Sequence, residues 1–341
     1  MKILVDAFGG DNSPSEVIKG AVEAINGYTG FDVVLIGKEE VINERLSEYT
    51  FDASRITVVD AREVITCEEE PTIAIKRKPD SSLCVAFKML KEDEDCKALV
   101  SAGSTGAVLV GATLKVGRLP GLSRPALCPI LPTMTDKKVL LLDCGANADC
   151  KPNFMVDFAI LGNEYAKCAL GVKNPKVALL SNGTEDKKGN TLIHETFPLL
   201  KEEKGINFVG NMEAREILSG DYDVVVSDGF SGNIALKATE GAVKVILKSL
   251  KSVLYKNLKT KIAGAMIKKD MTSLKEKLDY NKAGGAVFLG VNKLIIKCHG
   301  SSMAETIKNS IIQAVDITNT GVIEELKKAF MAKLEERNNA Q

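Results

Sequence analysis

The sequence predicts an α/β fold built on a doubly wound, mainly parallel sheet with helices on both faces. Short β-rich runs alternate with helical stretches along the 341 residues, and most of these runs are continuously apolar, as strands covered on both faces are. Glycines and polar residues follow the runs directly, at the strand ends where ligands collect in such folds. The same pattern therefore predicts both the sheet and the edge of the sheet at which a ligand binds.

Eight apolar runs are the predicted strands. In chain order they are KILVDA (2–7), DVVLIG (32–37), ITVVDA (56–61), KALVSAG (97–103), KVLLLDCGA (138–146), KVALLS (176–181), INFVG (206–210) and YDVVVSDG (222–229). The clearest helix between them is 14–26, for which Ser13 and Pro14 predict the N-cap and the first helical residue. The length allows one large α/β unit or two lobes.

Composition narrows the class of protein. The chain is 45% hydrophobic and 26% charged with a formal net charge of zero, which is typical of globular enzymes and gives no reason to expect a nucleic-acid partner. Residues 98–114 carry no charge, but hydroxyl side chains and glycines interrupt them, so we expect no membrane span there. The start of the chain lacks the apolar core of a signal peptide.

Cysteine and histidine usage predicts no metal site. Eight cysteines are scattered without a Cys-x-x-Cys pair, and there are only two histidines. We therefore expect reduced, mostly buried thiols and a cytoplasmic protein.

The segment 244–277 is locally basic, with ten lysines against one aspartate and one glutamate. Its leucines recur at helical spacing, so its first half is either a core helix with solvated lysines or part of an exposed helical hairpin. The second half, KIAGAMIKKDM (261–271), fits the tip of a hairpin that meets a membrane surface or an acidic protein. The predicted contact residues are Leu254, Leu258, Ile262, Met266, Ile267, Lys268 and Lys269.

The turn SAGSTGA (101–107) joins a predicted strand to an apolar helix. Glycine and hydroxyl groups at such a turn indicate an anion site, although packing glycines explain the spacing equally well. The turn lacks the lysine of a P-loop and the longer dinucleotide fingerprint. We take Gly103, Ser104, Thr105 and Gly106 as candidate phosphate-binding residues.

The turn DCGANADCKP (143–152) offers Asp143, Asn147 and Lys151 after another strand. One interpretation is a network of Asx turns that shapes the loop. The other assigns Asn147 and Lys151 to a ligand oxygen.

Two further turns have a similar form. TEDKKGN (184–190) contributes Lys188 and Asn190, and the turn SDGFSGN (227–233), with the helix after it, contributes Asp228, Gly229, Gly232, Asn233 and Lys237. Backbone N–H groups, amides and an ammonium that converge on one point are typical of an oxyanion site. His299, in HGSS (299–302), is an acid or base candidate or a structural hydrogen-bonding group.

Taken in this order, the motifs resemble the bacterial fatty acyl-(acyl-carrier-protein):phosphate acyltransferase family, PlsX. The resemblance covers roughly residues 2–325. It runs through VDAFGGD (5–11), SAGSTGA, GRLPGLSRPAL (117–127), DCGANADCKP, TEDKKGN, SDGFSGN, GGAVFLGV (284–291) and HGSS. The sequence departs from the usual family pattern at Phe8, Ser104, Cys144 and Val287.

This resemblance implies transfer of a long-chain acyl group from acyl-carrier protein to inorganic phosphate, with no cofactor. A membrane glycerol-3-phosphate acyltransferase would consume the acyl phosphate. It also implies a single domain over 1–335 with a Rossmann-like three-layer α/β/α sandwich, similar to isocitrate and isopropylmalate dehydrogenases, and a protruding helical hairpin at about 244–277. A homodimer and peripheral attachment to an anionic membrane surface are further implications.

Phosphate is largely a dianion and a thiolate is a good leaving group, so we expect direct attack on the thioester, governed by positioning and charge. Lys188 and Lys237 are the predicted charge partners of phosphate, Asn147 and Asn190 are predicted to polarise the thioester, and His299 is an optional acid. The alternatives are a short-chain phosphate acyltransferase that uses acyl-CoA, an NAD-dependent decarboxylating dehydrogenase on a related fold, and a non-enzymatic scaffold at a lipid surface.

Overall fold

The strands form two mainly parallel sheets in the computed structural model, which describes residues 1–278 and 284–339. The strands are β1 Lys2–Asp6, β2 Asp32–Gly37, β3 Ile56–Asp60, β4 Cys96–Ser101, β5 Ala126–Cys128, β6 Ile130–Pro132, β7 Lys138–Leu142, β8 Lys176–Ser181, β9 Asn207–Glu213, β10 Val224–Val226, β11 Ala286–Leu289 and β12 Leu294–Lys297. The first sheet has the order β3-β2-β1-β4-β12-β11-β5, and the second has the order β6-β7-β10-β8-β9.

Helices cover both sheets. They are α1 Ser15–Gly27, α2 Glu39–Leu46, α3 Pro71–Arg77, α4 Ser82–Glu92, α5 Thr105–Gly111, α6 Pro152–Leu170, α7 Thr191–Glu202, α8 Gly229–Leu254, α9 Leu258–Met266, α10 Lys268–Leu278, α11 Ala304–Asn319 and α12 Val322–Asn339. A π-helical turn, Ala112–Val116, continues α5. The largest apolar cluster extends through both sheets, and α1, α6 and α11 contribute to it.

All eight predicted strands are confirmed, and so is the mainly parallel α/β class. The strands divide between two sheets, which the sequence pattern did not predict. β5, β6, β11 and β12 were not predicted, and each is only three or four residues long. β11 and β6 also pair antiparallel at or near the sheet margins, outside the alternation of strand and helix.

The predicted helix at 14–26 begins one residue later than expected. Pro14 is the N-cap and makes no side-chain capping bond, and the Ser13 hydroxyl donates to the carbonyl oxygen of Gly10 at 2.8 Å. Ser13 therefore shapes the preceding turn and does not cap the helix.

The chain passes from one sheet to the other at Pro129. β5 ends the first sheet, and β6 begins the second after this single residue. Since the parallel strands of each sheet end near this crossing, their polar turns face a shared cleft.

The basic segment forms the end of α8 followed by α9 and α10. None of residues 241–275 is buried, so the core-helix interpretation of its first half is wrong: this part of α8 lies beyond the sheets that would cover it. Asn257 and Thr260 form a capping box at the start of α9, and Gly264 of α9 lies against Leu254 of α8. Leu254 is half-buried by this contact, whereas Leu258, Ile262 and Met266 are exposed.

Among the described helices, none combines the length and the apolar character that crossing a bilayer requires. The uncharged stretch 98–114 is divided between β4, α5 and the π-helical turn.

Close packing of α1 on α11 fixes the turn that carries His299, because α11 starts directly after that turn. Glu16 on α1 accepts a hydrogen bond from the N–H of Ala304, the first residue of α11, at 2.8 Å. A Cβ atom at Gly20 would lie 2.6 Å from the carbonyl oxygen of Ala304 and 2.7 Å from the Cβ of Ile307. Only glycine allows this approach.

We therefore expect Gly20→Ala to lower the free energy of unfolding by about 1–3 kcal/mol, because the added methyl group forces the two helices apart. Gly27→Ala is the matched control: the same helix ends there, and a Cβ atom would have no neighbour within 4 Å. Urea denaturation should show Gly27→Ala unchanged or slightly more stable. Equal stability of the two variants would contradict the close-packing argument.

Candidate active site

Three polar turns of the first sheet pack into one wall. Asp11 N–H donates to the carbonyl oxygen of Gly300 at 2.8 Å, and Cys298 N–H donates to that of Ser101 at 2.9 Å. A Cβ atom at Gly9 would lie 2.7 Å from the backbone nitrogen of Gly103. The turns after β1, β4 and β12 are thereby held at fixed positions relative to one another.

A buried carboxylate holds the turn after β4. Asp6 accepts hydrogen bonds from the hydroxyls of Ser82 at 2.6 Å and Ser101 at 2.7 Å, and Ser101 Oγ accepts from the N–H of Gly103 at 3.0 Å. Burial raises the pKa of Asp6, and the two serine hydroxyls oppose that rise. The chain Asp6–Ser101–Gly103 therefore orients the first residues of the predicted anion turn.

Asp143 performs the same function at the sheet junction. Its carboxylate accepts from the backbone N–H groups of Leu127, Cys144, Ala146 and Asn147, at 2.6–3.3 Å, and from the Asn147 side-chain amide at 3.0 Å. The Asn147 amide also donates to the carbonyl oxygen of Pro125 at 2.8 Å. Burial raises the pKa of Asp143, and these hydrogen bonds oppose that rise.

The start of α8 packs against the turn 143–147 that Asp143 holds. Gly229 N–H donates to the carbonyl oxygen of Asn147 at 2.8 Å, and a Cβ atom at Gly229 would lie 2.6 Å from that oxygen. Asp228 is the N-cap of α8, and its Oδ1 accepts from the N–H of Ser231 at 2.8 Å. Gly232 likewise packs against the carbonyl oxygen of Asp143. These residues set the direction in which α8 presents Asn233 and Lys237.

A cavity of about 330 Å³ lies between the two sheets at this point. Its lining includes the polar or charged residues Thr105, Asn233, Lys237, Glu240, Lys297 and His299. The lining also includes the apolar residues Leu127, Pro129, Ile130, Leu131 and Leu236. The cavity can therefore hold a small anion beside an apolar group.

The two lysines that line the cavity differ in their partners. Lys237 Nζ lies 2.9 Å from Glu240 Oε2 one turn further along α8, and this carboxylate is only 13% exposed. Lys297 is 8% exposed, and its ammonium donates to the carbonyl oxygen of Cys298. Burial lowers the pKa of Lys297.

His299 is held in one orientation by its own turn. Its Nδ1 accepts from the N–H of Ser301 at 3.2 Å and lies 2.8 Å from the Ser301 hydroxyl. Burial, followed by the nearby charges of Lys237 and Lys297, lowers the pKa of His299. The neutral imidazole with its proton on Nε2 is therefore the form that this site favours near neutral pH.

The predicted site residues fall into three groups. Thr105, Asn233, Lys237 and His299 line the cavity together. Gly103, Ser104, Asp143, Asn147 and Asp228 lie in the turns next to these residues, and Gly106, Gly229 and Gly232 lie in the first turns of α5 and α8. Lys151, Lys188 and Asn190 are exposed and do not line it.

The loop after β8 carries Lys188 and Asn190 at the same end of the second sheet. Asn190 is the N-cap of α7 and accepts from the N–H of Ile193 at 3.1 Å. The stem of Lys188 packs over Gly183, where a Cβ atom would lie 2.7 Å from Lys188 Cγ. None of the residues of this loop lines the cavity.

The sequence analysis did not predict Lys297, Glu240 or the apolar residues that line the cavity. Lys297 ends the apolar run LIIK of β12, so reading that run as a strand would have placed the lysine at a strand end beside the other polar turns. No sequence motif points to Glu240. Its place in the site follows only from its ion pair with Lys237 in the structure.

Comparison of the fold with solved structures finds phosphotransacetylases. A phosphotransacetylase from Streptococcus pyogenes superposes with a TM-score of 0.61 at 18% identity, over 95% of this chain and 94% of that one. EutD phosphotransacetylase from Staphylococcus aureus superposes with a TM-score of 0.59 at 17% identity, over 94% of each chain. At this identity the likeness establishes the Rossmann-like α/β/α fold.

Comparison of the sequence establishes the family. Residues 1–325 match the family described as Fatty acid synthesis protein. A protein of Clostridium novyi named phosphate acyltransferase is 46% identical over 98% of this chain and 100% of its own length. One of Clostridioides difficile with the same name is 41% identical over 99% of this chain and 98% of its own. The chain therefore belongs to this family, the phosphate acyltransferases that its motifs resemble, and is an acyltransferase.

Proposed function

We propose that this enzyme transfers a long-chain acyl group from acyl-carrier protein to inorganic phosphate, which yields an acyl phosphate and free carrier protein. The observation that carries the proposal is the mixed lining of the cavity between the sheets. Its lysine, asparagine and hydroxyl groups suit a small dianion, and its apolar side chains suit the carbons next to a thioester carbonyl. Phosphate and a thioester held there would lie within reach of each other.

The proposed reaction is direct. An oxygen of bound phosphate attacks the thioester carbonyl carbon and forms a tetrahedral intermediate. The carbon–sulfur bond then breaks, and the carrier thiolate leaves and takes up a proton from solvent. Phosphate is already largely ionised near neutral pH and a thiol has a pKa of roughly 8 to 9, so neither step needs a strong base. Positioning and charge carry the catalysis.

Phosphate is assigned to the cavity side of the turns 103–106 and 228–233. Thr105 and Asn233 provide hydrogen-bonding groups there, and Lys237 provides a charge that Glu240 holds in place. Lys188 is proposed as a second charge partner of phosphate from outside the cavity. Lys151 is proposed as a further, outer contact of the phosphate. The ends of neighbouring strands bring these groups to one side of the sheets.

Polarisation of the thioester carbonyl is assigned to His299, which lines the cavity. The assignment of Asn190 to the same role stays a sequence-based prediction, because Asn190 caps α7 outside the cavity lining. His299 acts as a hydrogen-bond donor from Nε2, because its Nδ1 is occupied by Ser301. Asn147 was the other sequence-based candidate for this role. Since its amide donates to Asp143 and Pro125, we propose that Asn147 positions the turn instead.

The rival dehydrogenase hypothesis assigns Asp143, Asp149 and Asp228 to a metal ion. Asp143 and Asp228 instead accept backbone N–H groups in the turns that they stabilise. Nothing in this arrangement favours the dehydrogenase over acyl transfer.

We expect the purified protein to incorporate labelled phosphate into an acyl phosphate when acyl-carrier-protein thioester is the donor. Release of the carrier thiol should require phosphate. Acyl-CoA serves as the parallel donor and tests the short-chain alternative. Equal or faster turnover with acetyl-CoA would contradict the long-chain carrier assignment, and thiol release without phosphate would contradict the acceptor.

Cys144 lines the cavity and tests the direct mechanism. Burial raises the pKa of this thiol far above its ordinary range, so the thiolate needed for an acyl-enzyme is suppressed. We expect Cys144→Ala to keep turnover within about threefold of wild type, since only a small side chain in the cavity wall is lost. Loss of turnover by several orders of magnitude, with the fold intact by circular dichroism, would favour a covalent route.

The exposed hairpin supports a peripheral membrane location. We propose that α9 and the start of α10 place Leu258, Ile262, Met266 and Ile267 against an anionic membrane, with Lys268 and Lys269 near the headgroups. This location suits delivery of an acyl phosphate to a membrane glycerol-3-phosphate acyltransferase. Exposed apolar residues on α8, including Val245, Ile246 and Val253, support a homodimer through that helix.

Replacing Leu258, Ile262 and Met266 together with serine should abolish sedimentation with anionic vesicles while turnover on a soluble donor is retained. The reason is the loss of apolar surface that is 57–81% exposed. Met134→Ser is the matched control, because Met134 is 80% exposed in the turn between β6 and β7. Loss of both vesicle binding and turnover would point to carrier-protein docking at this surface.

A further inference from the structure

The turn SAGSTGA has no lysine of its own, but the fold supplies one from another strand. Lys297 is the last residue of β12, and its register partner on β4 is Ser101, where the turn begins. Along both strands alternate residues face the same apolar cluster, which contains Leu99 and Ile295. The side chains of Ser101 and Lys297 therefore lie on one face of the sheet, beside the turn.

Lys297 is an unusual residue to find in a protein interior. Its side chain is buried, yet no carboxylate among the described residues forms an ion pair with it, and its one hydrogen bond goes to the carbonyl oxygen of Cys298. The nearby carboxylate of Asp6 is already engaged by two serine hydroxyls. Buried charges are normally paired, because desolvation without a counter-ion is costly.

The other lysine of the cavity already has a carboxylate partner. Lys237 pairs with Glu240, so its charge is partly offset and does not by itself balance a bound dianion. Lys297 lines the same cavity with Thr105 and His299, and the carboxylates whose charges act on it, Asp6 and Asp11, form no ion pair with it. A bound anion would offset the cost of burying its charge.

We propose that Lys297 is the principal charge contact of the phosphate dianion, and that it completes the turn 103–106 as an anion site. The inference rests on the proposed function and assigns the residue that recognises its acceptor substrate. The lysine and the anion stabilise each other, because burial lowers the pKa of the free lysine and a dianion raises it again. Lys297 is then a catalytic residue that the sequence motifs did not indicate.

The test compares Lys297→Met with Lys293→Met. Lys293 directly precedes β12 and does not line the cavity. Its ammonium pairs with the carboxylate of Glu94 at 3.3 Å. We expect Lys297→Met to raise the KM for phosphate roughly tenfold to a hundredfold, as the loss of a charge-assisted contact does, and to leave the KM for the acyl donor within about threefold. Lys293→Met should leave both unchanged.

A second measurement does not depend on turnover. Inorganic phosphate should raise the Tm of the wild type and of Lys293→Met, but not that of Lys297→Met. Without phosphate, Lys297→Met should melt at the wild-type temperature or above it, because an unpaired buried charge is removed. Lys297→Arg, which keeps the charge, should retain more of the phosphate response than the methionine variant does.

The outcomes separate the two proposals. Wild-type phosphate saturation and an unchanged Tm response in Lys297→Met would overturn the inference and leave the proposed function standing. A lowered Tm without phosphate, together with an unchanged KM, would show a structural lysine and also overturn it. If the wild type makes no acyl phosphate but gains stability from phosphate only when Lys297 is present, the site stands and the proposed function fails.

Discussion

The carboxylate of Asp143 is the interaction on which the geometry of the cleft depends. Asp143 follows a strand of the second sheet, yet one of its oxygens accepts the N–H of Leu127 in the last strand of the first sheet. Four more donors, from residues 144–147, close the turn around it. Because α8 starts against the carbonyl oxygen of Asn147, the same carboxylate indirectly sets where Asn233 and Lys237 lie.

Asp143 and Lys297 are both buried charged groups, but they differ in how they are satisfied. Every strong contact of Asp143 is made by the protein itself, which is the pattern of a structural group. Lys297 has one carbonyl partner, and no ion pair among the described residues compensates it. A charge that the fold leaves uncompensated costs stability, and such a cost is expected at a binding site, where the ligand makes up the deficit.

The sequence predicted the larger features of the fold because they repeat along the chain. Long apolar strands and the polar turns after them are local patterns, and the rule that ligands meet the carboxyl ends of strands places those turns on one side. The division into two sheets depends on three-residue strands around Pro129, which carry too little pattern to be recognised. The pairing of β12 with β4, which brings Lys297 beside Ser101, likewise joins segments that lie far apart in the sequence.

The sequence could not separate ligand-binding residues from residues that brace the loops. Asparagine and aspartate favour both roles, since one side-chain chemistry satisfies either a backbone N–H group or a ligand. Asn147 has both of its amide contacts inside the protein, whereas Asn233 reaches the cavity wall. Only the pairing of each donor and acceptor distinguishes the two, and that pairing is set by contacts between distant segments.

The part of α8 that packs against the protein and the part that is exposed are separate along the helix. In its first turns, the buried glycines Gly229 and Gly232 pack against the turn that Asp143 holds. From Gly241 onward none of the residues of α8 is buried. The outer part of the helix and the two helices after it therefore contribute little to the core, and their apolar side chains are free to face a bilayer or a second copy of the chain. α8 also carries Asn233 and Lys237, so one helix joins the exposed segment to the cavity. In the proposed membrane-bound state, this continuity is a physical route by which contact at the exposed segment influences the proposed phosphate site.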